Sequence, residues 1–203
     1  MDYQIRCTRC GRKQEETAFR CSRCNSILEV KYYGSRQTLH KAEKNKPMTR
    51  YSGFLPVKTL SLDLGEGGTA LKKVGNDYGC ELYLKVETAN PTKTFKDRGS
   101  AVEMTKAVEL GVKSVCCAST GNMGLSVAYY AKHAGIKCTI FISRSANKKK
   151  IEKIRRQGAR IVKVDGDFNR LWSLQRSSRR RRARSSAAIT ILGRRGKKPS
   201  DSR

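Results

Sequence analysis

No run of 18 or more apolar residues occurs in this 203-residue chain, so a membrane-spanning helix is not expected. The opening residues, MDYQIRCTRCG, lack the charged-then-apolar layout of a secretory signal, and the expected location is cytoplasmic. Histidine is scarce: His40 and His133 stand at no ligand or triad spacing, and neither is assigned a role. Acidic residues are few as well, 17 against 44 Lys and Arg, for a formal charge of +27. Such an excess ordinarily points to nucleic acid or an anionic surface. It is uneven, however: residues 170–203 hold 12 Lys and Arg and one acid, which leaves +16 on the other 169 residues, where basic and acidic side chains are interleaved. The arginines from 176 to 203 have no aromatic residue among them to stack on bases, so nucleic acid is not expected as a partner.

What the chain does have is eight cysteines and an apolar fraction of 37%, enough for a globular core. In a cytoplasmic chain, cysteines argue for metal ligands or buried thiols, not a disulfide framework. Cys7, Cys10, Cys21 and Cys24 form two C-x2-C pairs separated by ten residues. Each pair turns tightly enough to offer two thiolates, and two pairs complete the tetrahedral set of a closed, structural Zn(2+) site. A cluster or redox role remains the alternative. Few apolar residues surround these cysteines in segment 1–34, so a metal would stand in for a core. Cys80, Cys116, Cys117 and Cys138 sit in or beside apolar stretches, where core packing is expected of all four.

From residue 80 onward the hydrophobic period alternates between strand and helix. Strands are expected at 81–87, 113–119, 137–143 and 160–164. Helices are expected at 95–110, 124–134 and 148–157, each stopped by a glycine: Gly111, Gly135 and Gly158. In the first helix Ala101, Met104, Ala107 and Val108 share the core face. This alternation implies α/β architecture, a parallel sheet covered by helices. After Asp167 the pattern fails. The segment FNRLWSLQ begins like a helix, but the rest has no sustained period. A disordered basic tail, a nucleic-acid or localisation patch, and a frameshifted or otherwise aberrant end compete as readings. The last is favoured, because a parallel sheet that stopped here would leave strand edges bare. The expected division is a zinc ribbon at 1–34, a partial α/β domain at 35–169, and a basic tail at 170–203.

Residues 87–99, ETANPTKTFKDRG, lie between a strand and a helix, where α/β proteins place functional groups. Lys96 stands near the helix start, where the dipole and the neighbouring Arg98 favour loss of its proton and nucleophilic use. On residues alone, a surface ion pair with Asp97 is the commoner outcome. The loop Ser119-Thr120-Gly121-Asn122 joins a strand to a helix and suits an anion at its N–H groups, although the same residues also serve as a plain helix cap.

NPTKTFKDRG resembles the cofactor-lysine motif of threonine synthases and their fold type II pyridoxal 5'-phosphate (PLP) relatives, commonly N-P-T-x-[ST]-F-K-D-R. LGEGGTAL (64–71) is similar to their G-E-G-x-T-P-L stretch, and ASTGNMG (118–124) to their S-[ST]-G-N loop. RYSGFLPV (50–57) resembles the approach to the enzyme core, and a four-cysteine ribbon precedes that core in some such proteins. The resemblance spans about residues 5–167. It implies that Lys96 carries PLP, that Asn122 contacts the cofactor's ring oxygen, and that Ser119 and Thr120 meet the substrate carboxylate. It further implies a lyase acting on a small amino-acid phosphate, O-phospho-L-homoserine, with water, to give L-threonine and phosphate, in a homo-oligomer. The alternatives are a related PLP enzyme such as cysteate synthase, a zinc-ribbon nucleic-acid-binding protein, and a zinc module with a vestigial lysine motif. Ala70, Lys93 and Met123 depart from the motifs and bear on substrate identity. The family's later phosphate cup is not found after Asp167, so an inactive fragment is the expectation.

Overall fold

The computed structural model describes residues 2–18, 20–34, 44–75, 79–119, 121–165 and 188–191. At the amino terminus β1 (Asp2–Cys7), β2 (Lys13–Gln14) and β3 (Leu28–Tyr33) form an antiparallel sheet in the order β2-β1-β3. Its register sets Ile5 opposite Gln14 on one side and Val30 on the other. A 3-10 helix at Pro47–Phe54 follows, then a two-stranded antiparallel pair, β4 (Leu71–Gly75) and β5 (Leu82–Lys85).

The α/β part runs α1 (Lys96–Glu109), β6 (Ser114–Ala118), α2 (Asn122–His133), β7 (Lys137–Ser143), α3 (Lys148–Arg155) and β8 (Arg160–Val164). Strand β6 is buried along its whole length and β7 along all but its ends, as parallel strands covered on both faces must be. Tyr130, Met104, Ile140, Ile142, Ile154 and Val127 are fully enclosed between the sheet and the helices, each adding roughly 2 kcal/mol of burial. Asn147 caps α3, accepting the Lys149 N–H at 2.8 Å. The three glycine stops stand as expected, with φ of 63° at Gly111, 65° at Gly135 and 78° at Gly158.

Three expectations change. Cys116, Cys117 and Cys138 are buried, but Cys80 is exposed, because it precedes β5 on an open hairpin and not inside the sheet. On α1, Ala101, Met104 and Ala107 are buried but Val108 is 45% exposed. Beyond Gly111 the chain turns back, the Val112 N–H bonds to the Ala107 oxygen, and Val112 joins the core. The tail is not irregular throughout: β9 (Ala188–Ile191) pairs in parallel with β6, giving the sheet order β8-β7-β6-β9 and closing the β6 edge. The other residues of 170–203 lie outside the described residues.

The ribbon rests on the enzyme-like part through polar contacts. The Tyr32 hydroxyl donates to the Phe54 oxygen at 2.7 Å, and Lys106 Nζ on α1 donates to the Tyr3 hydroxyl at 2.7 Å while pairing with Glu16 at 3.4 Å and Glu109 at 2.7 Å. Burial opposes the charge on Lys106, but donation to Glu109 and Tyr3 outweighs it and raises the ammonium above its ordinary range.

Candidate functional site

Lys96 opens α1 and Asn122 opens α2, so both side chains start from the ends of helices that face the carboxyl edge of β6. Between these ends lies a polar clamp. Asp97, fully buried, accepts from the Thr92 N–H at 2.6 Å, from the Thr92 hydroxyl at 2.5 Å and from the Ser126 hydroxyl at 2.6 Å. Ser126 Oγ also lies 2.8 Å from Ser100 Oγ. The second residue of α1 is thereby tied to the fifth residue of α2, which fixes the two helix starts side by side. Asp97 is committed to this clamp, and the surface ion pair with Lys96 that the residues alone suggested does not form. Lys96 is half-buried, with Nζ 4.5 Å from the Phe95 ring centroid.

Arg98 turns the other way. Its Nε and Nη2 donate to the two Glu87 oxygens at 2.9 and 2.8 Å, and Nη2 also meets Thr69 Oγ1 at 3.1 Å. Glu87 further accepts from the Thr69 hydroxyl and the Asn90 amide. The Arg98 guanidinium holds the Glu87 carboxyl down at about 2. Asn90 Oδ1 in turn accepts the Gly67 N–H at 3.0 Å. The GEGGT loop and the NPTKT turn are therefore one unit built on Arg98. A Cβ on Gly67 would come within 3.1 Å of Met48 Cγ and 3.2 Å of Arg98 Nη1, and only glycine allows this approach at φ 88°. Glu66 in the same loop is fully buried, accepting from the Tyr130 hydroxyl and the Leu64 N–H; burial raises its carboxyl and also raises the Tyr130 phenol. Neither Glu87, at the end of the expected strand 81–87, nor Glu66, within LGEGGTAL, carries an expected role from the sequence. The signal that could have found Glu87 is its place eleven residues before Arg98, flanking the same turn.

The β6–α2 loop is shaped by backbone. Ser119 N–H bonds to the Phe141 oxygen at 3.1 Å, and Ser119 Oγ accepts from the Gly121 N–H at 3.3 Å. The N-cap of α2 is Gly121, which has no side chain to occupy the first-turn N–H groups. Gly124 packs so closely that a Cβ there would lie 2.8 Å from the Ser119 oxygen. Asn122 is exposed and Ser119 half-buried, while Thr120 lies outside the described residues.

The four ribbon cysteines converge as expected: the sulfurs of Cys7, Cys10, Cys21 and Cys24 all lie within 4.8 Å of one another. Separations of 3.4 Å (Cys7–Cys24), 3.5 Å (Cys10–Cys21) and 3.7 Å (Cys10–Cys24) approach the edge of about 3.8 Å that a tetrahedron of 2.3 Å zinc–sulfur bonds requires. Backbone N–H groups of Arg9 and Cys10 point at Cys7 Sγ, and that of Arg23 at Cys21 Sγ, a donor arrangement suited to thiolates. Donation from Cys10 draws the Cys7 thiol down to about 6.

Residues 62–190 match the family described as pyridoxal-phosphate dependent enzyme. The chain belongs to this family. Its curated relatives include the threonine synthase of Methanosarcina acetivorans, 35% identical over 187 residues, covering 86% of this chain and 46% of that protein. The threonine synthase of Methanocaldococcus jannaschii is 38% identical over 180 residues, covering 81% and 44%. The chain thus spans just under half the length of these relatives. Among solved structures, a hydrogen sulfide-producing enzyme of Fusobacterium nucleatum shares the fold, with a TM-score of 0.55 at 22% identity over 64% of this chain and 43% of that one. The family match runs on past residue 167 to 190, into β9.

As a site for a PLP group, the residues present fit at the lysine and at the β6–α2 loop. A primary amine stands at a helix start, and beside it a second helix begins on a glycine cap with a hydroxyl and an amide at hand. Among the described residues no helix is long and apolar enough to cross a membrane.

Proposed function

We propose that this chain carries the cofactor-lysine portion of a threonine synthase-type PLP lyase, which converts O-phospho-L-homoserine and water to L-threonine and phosphate. The observation that carries the reading is the clamp through Asp97 and Ser126, which sets Lys96 beside the start of α2 inside the family-matched region. The threonine synthase relatives favour this substrate over phosphoserine and sulfite. PLP, when bound, supplies an electron sink for charge developing on the substrate.

The chain's own residues bind and orient. Lys96 is assigned to hold the cofactor through its amine and, once released, to move protons at the substrate carbons. Asn122 is assigned to the cofactor, and Ser119 and Thr120 to the substrate carboxylate, with the first-turn N–H groups of α2 adding positive potential for an anion. Asp97 and Arg98 do not meet the substrate in this scheme; they hold the two helix starts and the GEGGT loop in register. A structural Zn(2+) at Cys7, Cys10, Cys21 and Cys24 is part of the proposal, as is the division into a ribbon at 1–34 and an enzyme portion from 35 onward.

The test is to incubate the purified chain with PLP, reduce with borohydride, and map the peptides. A single pyridoxyl label on Lys96, lost in Lys96→Ala, is expected. Label scattered over surface lysines would remove Lys96 from the reading. In a full-length version of the protein, phosphate release from phosphohomoserine, set against turnover of phosphoserine with sulfite, separates threonine synthase from cysteate synthase chemistry.

A further inference from the structure

Two buried carboxylate oxygens among the described residues have no hydrogen-bond partner: Glu66 Oε1 and Glu103 Oε2. On Glu66 the other oxygen, Oε2, accepts from both Tyr130 and Leu64 and anchors the carboxyl. Glu103 calls for a different account, since a buried carboxyl oxygen left without a donor is costly and each instance needs a reason. Glu103 lies on α1 seven residues after Lys96, which is two turns, so the two side chains leave the helix within about 20° of each other and roughly 10 Å apart along its axis. Helical side chains lean toward the amino terminus, which tips Glu103 toward the turn that bears Lys96.

Two residues lie between them near that stripe: Ser100 on the sheet side, buried and bonded to Ser126, and Gly99 on the exposed side. Gly99 contributes no side chain, and a Cβ built there meets nothing within 4 Å. A glycine inside a helix costs about 1 kcal/mol relative to alanine, and here it leaves an open strip of helix surface joining the lysine to the carboxyl. The Glu103 carboxyl feels two titratable groups: Lys96 on its own helix, and the fully buried Cys117 thiol facing it from β6. Asp97, by contrast, is taken up by Thr92 and Ser126, and Arg98 by Glu87 and Thr69. Glu103 is the acid on α1 left with an unsatisfied oxygen.

We propose that Glu103 is a positioning residue for Lys96, its orphaned carboxyl drawing the free ammonium from the Phe95 ring across the Gly99 gap and holding it against the sheet. This gives the lysine two stations, one over Phe95 and one on Glu103. An amine that must attach to a carbonyl group and later let it go has use for a defined place to rest while free. The inference rests on the assignment of Lys96 as the cofactor lysine only for its purpose, since the pairing itself is a property of the unloaded chain. Burial pushes the Glu103 carboxyl up to about 8, with the Lys96 charge pulling against that rise, as a group awaiting a cation should show.

The experiment is acylation of the full chain with an N-hydroxysuccinimide ester at about pH 9, where Glu103 is largely ionised, with the rate at each lysine read by mass spectrometry and Lys93 and Lys137 as internal standards. Held as an ion pair, Lys96 reacts slowly. Glu103→Gln, nearly isosteric, is expected to speed Lys96 labelling about tenfold, as loss of a charge-assisted hydrogen bond would, and to leave the standards unchanged. Gly99→Met, which fills the gap with a good helix former while keeping both charges, is expected to act in the same direction, and Glu103→Asp to restore part of the slow reaction. A merely structural role for Glu103 would not be mimicked by Gly99→Met. Equal Lys96 rates in wild type and Glu103→Gln, with unchanged circular dichroism, would overturn the proposal. Failure of PLP to label Lys96 while the acylation differences persist would instead count against the cofactor assignment and support the pairing.

Discussion

Glu87 and Arg98 bring opposite charges together from either side of the NPTKT turn, and their side chains are less than one-third exposed. Because the Glu87 carboxyl is held down at about 2, below its unfolded value near 4.3, its stabilisation is fully present above about pH 4.3 and is lost as pH falls toward 2. Acid unfolding followed by circular dichroism should therefore steepen over that interval, and Glu87→Gln should remove the extra slope and cost about 2 kcal/mol at neutral pH. Lys93 offers a second check at this scale. Its φ of 66° lies in the left-handed region, which disfavours any side chain with a Cβ. Lys93→Gly should be tolerated, whereas Lys93→Val should lower stability by about 1–2 kcal/mol in urea titrations.

At the level of elements, the β6–α2 turn depends on backbone contact more than on side-chain chemistry. Gly124→Ala forces its methyl against the Ser119 oxygen, so a loss of about 1–3 kcal/mol and weaker PLP labelling of Lys96 are expected together. The ribbon behaves differently, because Cys7 and Cys21 are among its few buried residues. Elemental analysis should find one zinc per chain, and chelation should abolish ribbon structure while the parallel sheet keeps its far-ultraviolet signal. The sequence announced most of these elements. The helix starts, the three glycine stops and the strands β6 to β8 follow from period and punctuation, and the cysteine spacing sufficed to bring four sulfurs together. What period could not reveal was choice of partner. Asp97 looked like a surface neighbour of Lys96, yet it is buried beneath Ser126, and Arg98 reaches back to Glu87; such pairings depend on which loops tertiary packing brings near. Strand β9 was missed for a similar reason, since four apolar-leaning residues among arginines have too little pattern to read without the β6 edge they join.

For the molecule as a whole, the ribbon is attached by polar contacts, with Lys106 as the hub between Tyr3, Glu16 and Glu109 on the same helix that Lys96 begins. The chain's charge of +27 works against compaction, so melting temperature should rise as salt increases from low to moderate ionic strength and screens the repulsion. The parallel sheet adds a constraint of timing. Strands β6, β7 and β8 meet in the order they are made, but Ser114 finds its other neighbour only at Ala188, 74 residues later. Closing so long a loop is slow, and until it closes the β6 edge offers its unpaired backbone to any extended strand nearby. During synthesis, that edge is where a nascent chain of this design most needs a chaperone's cover.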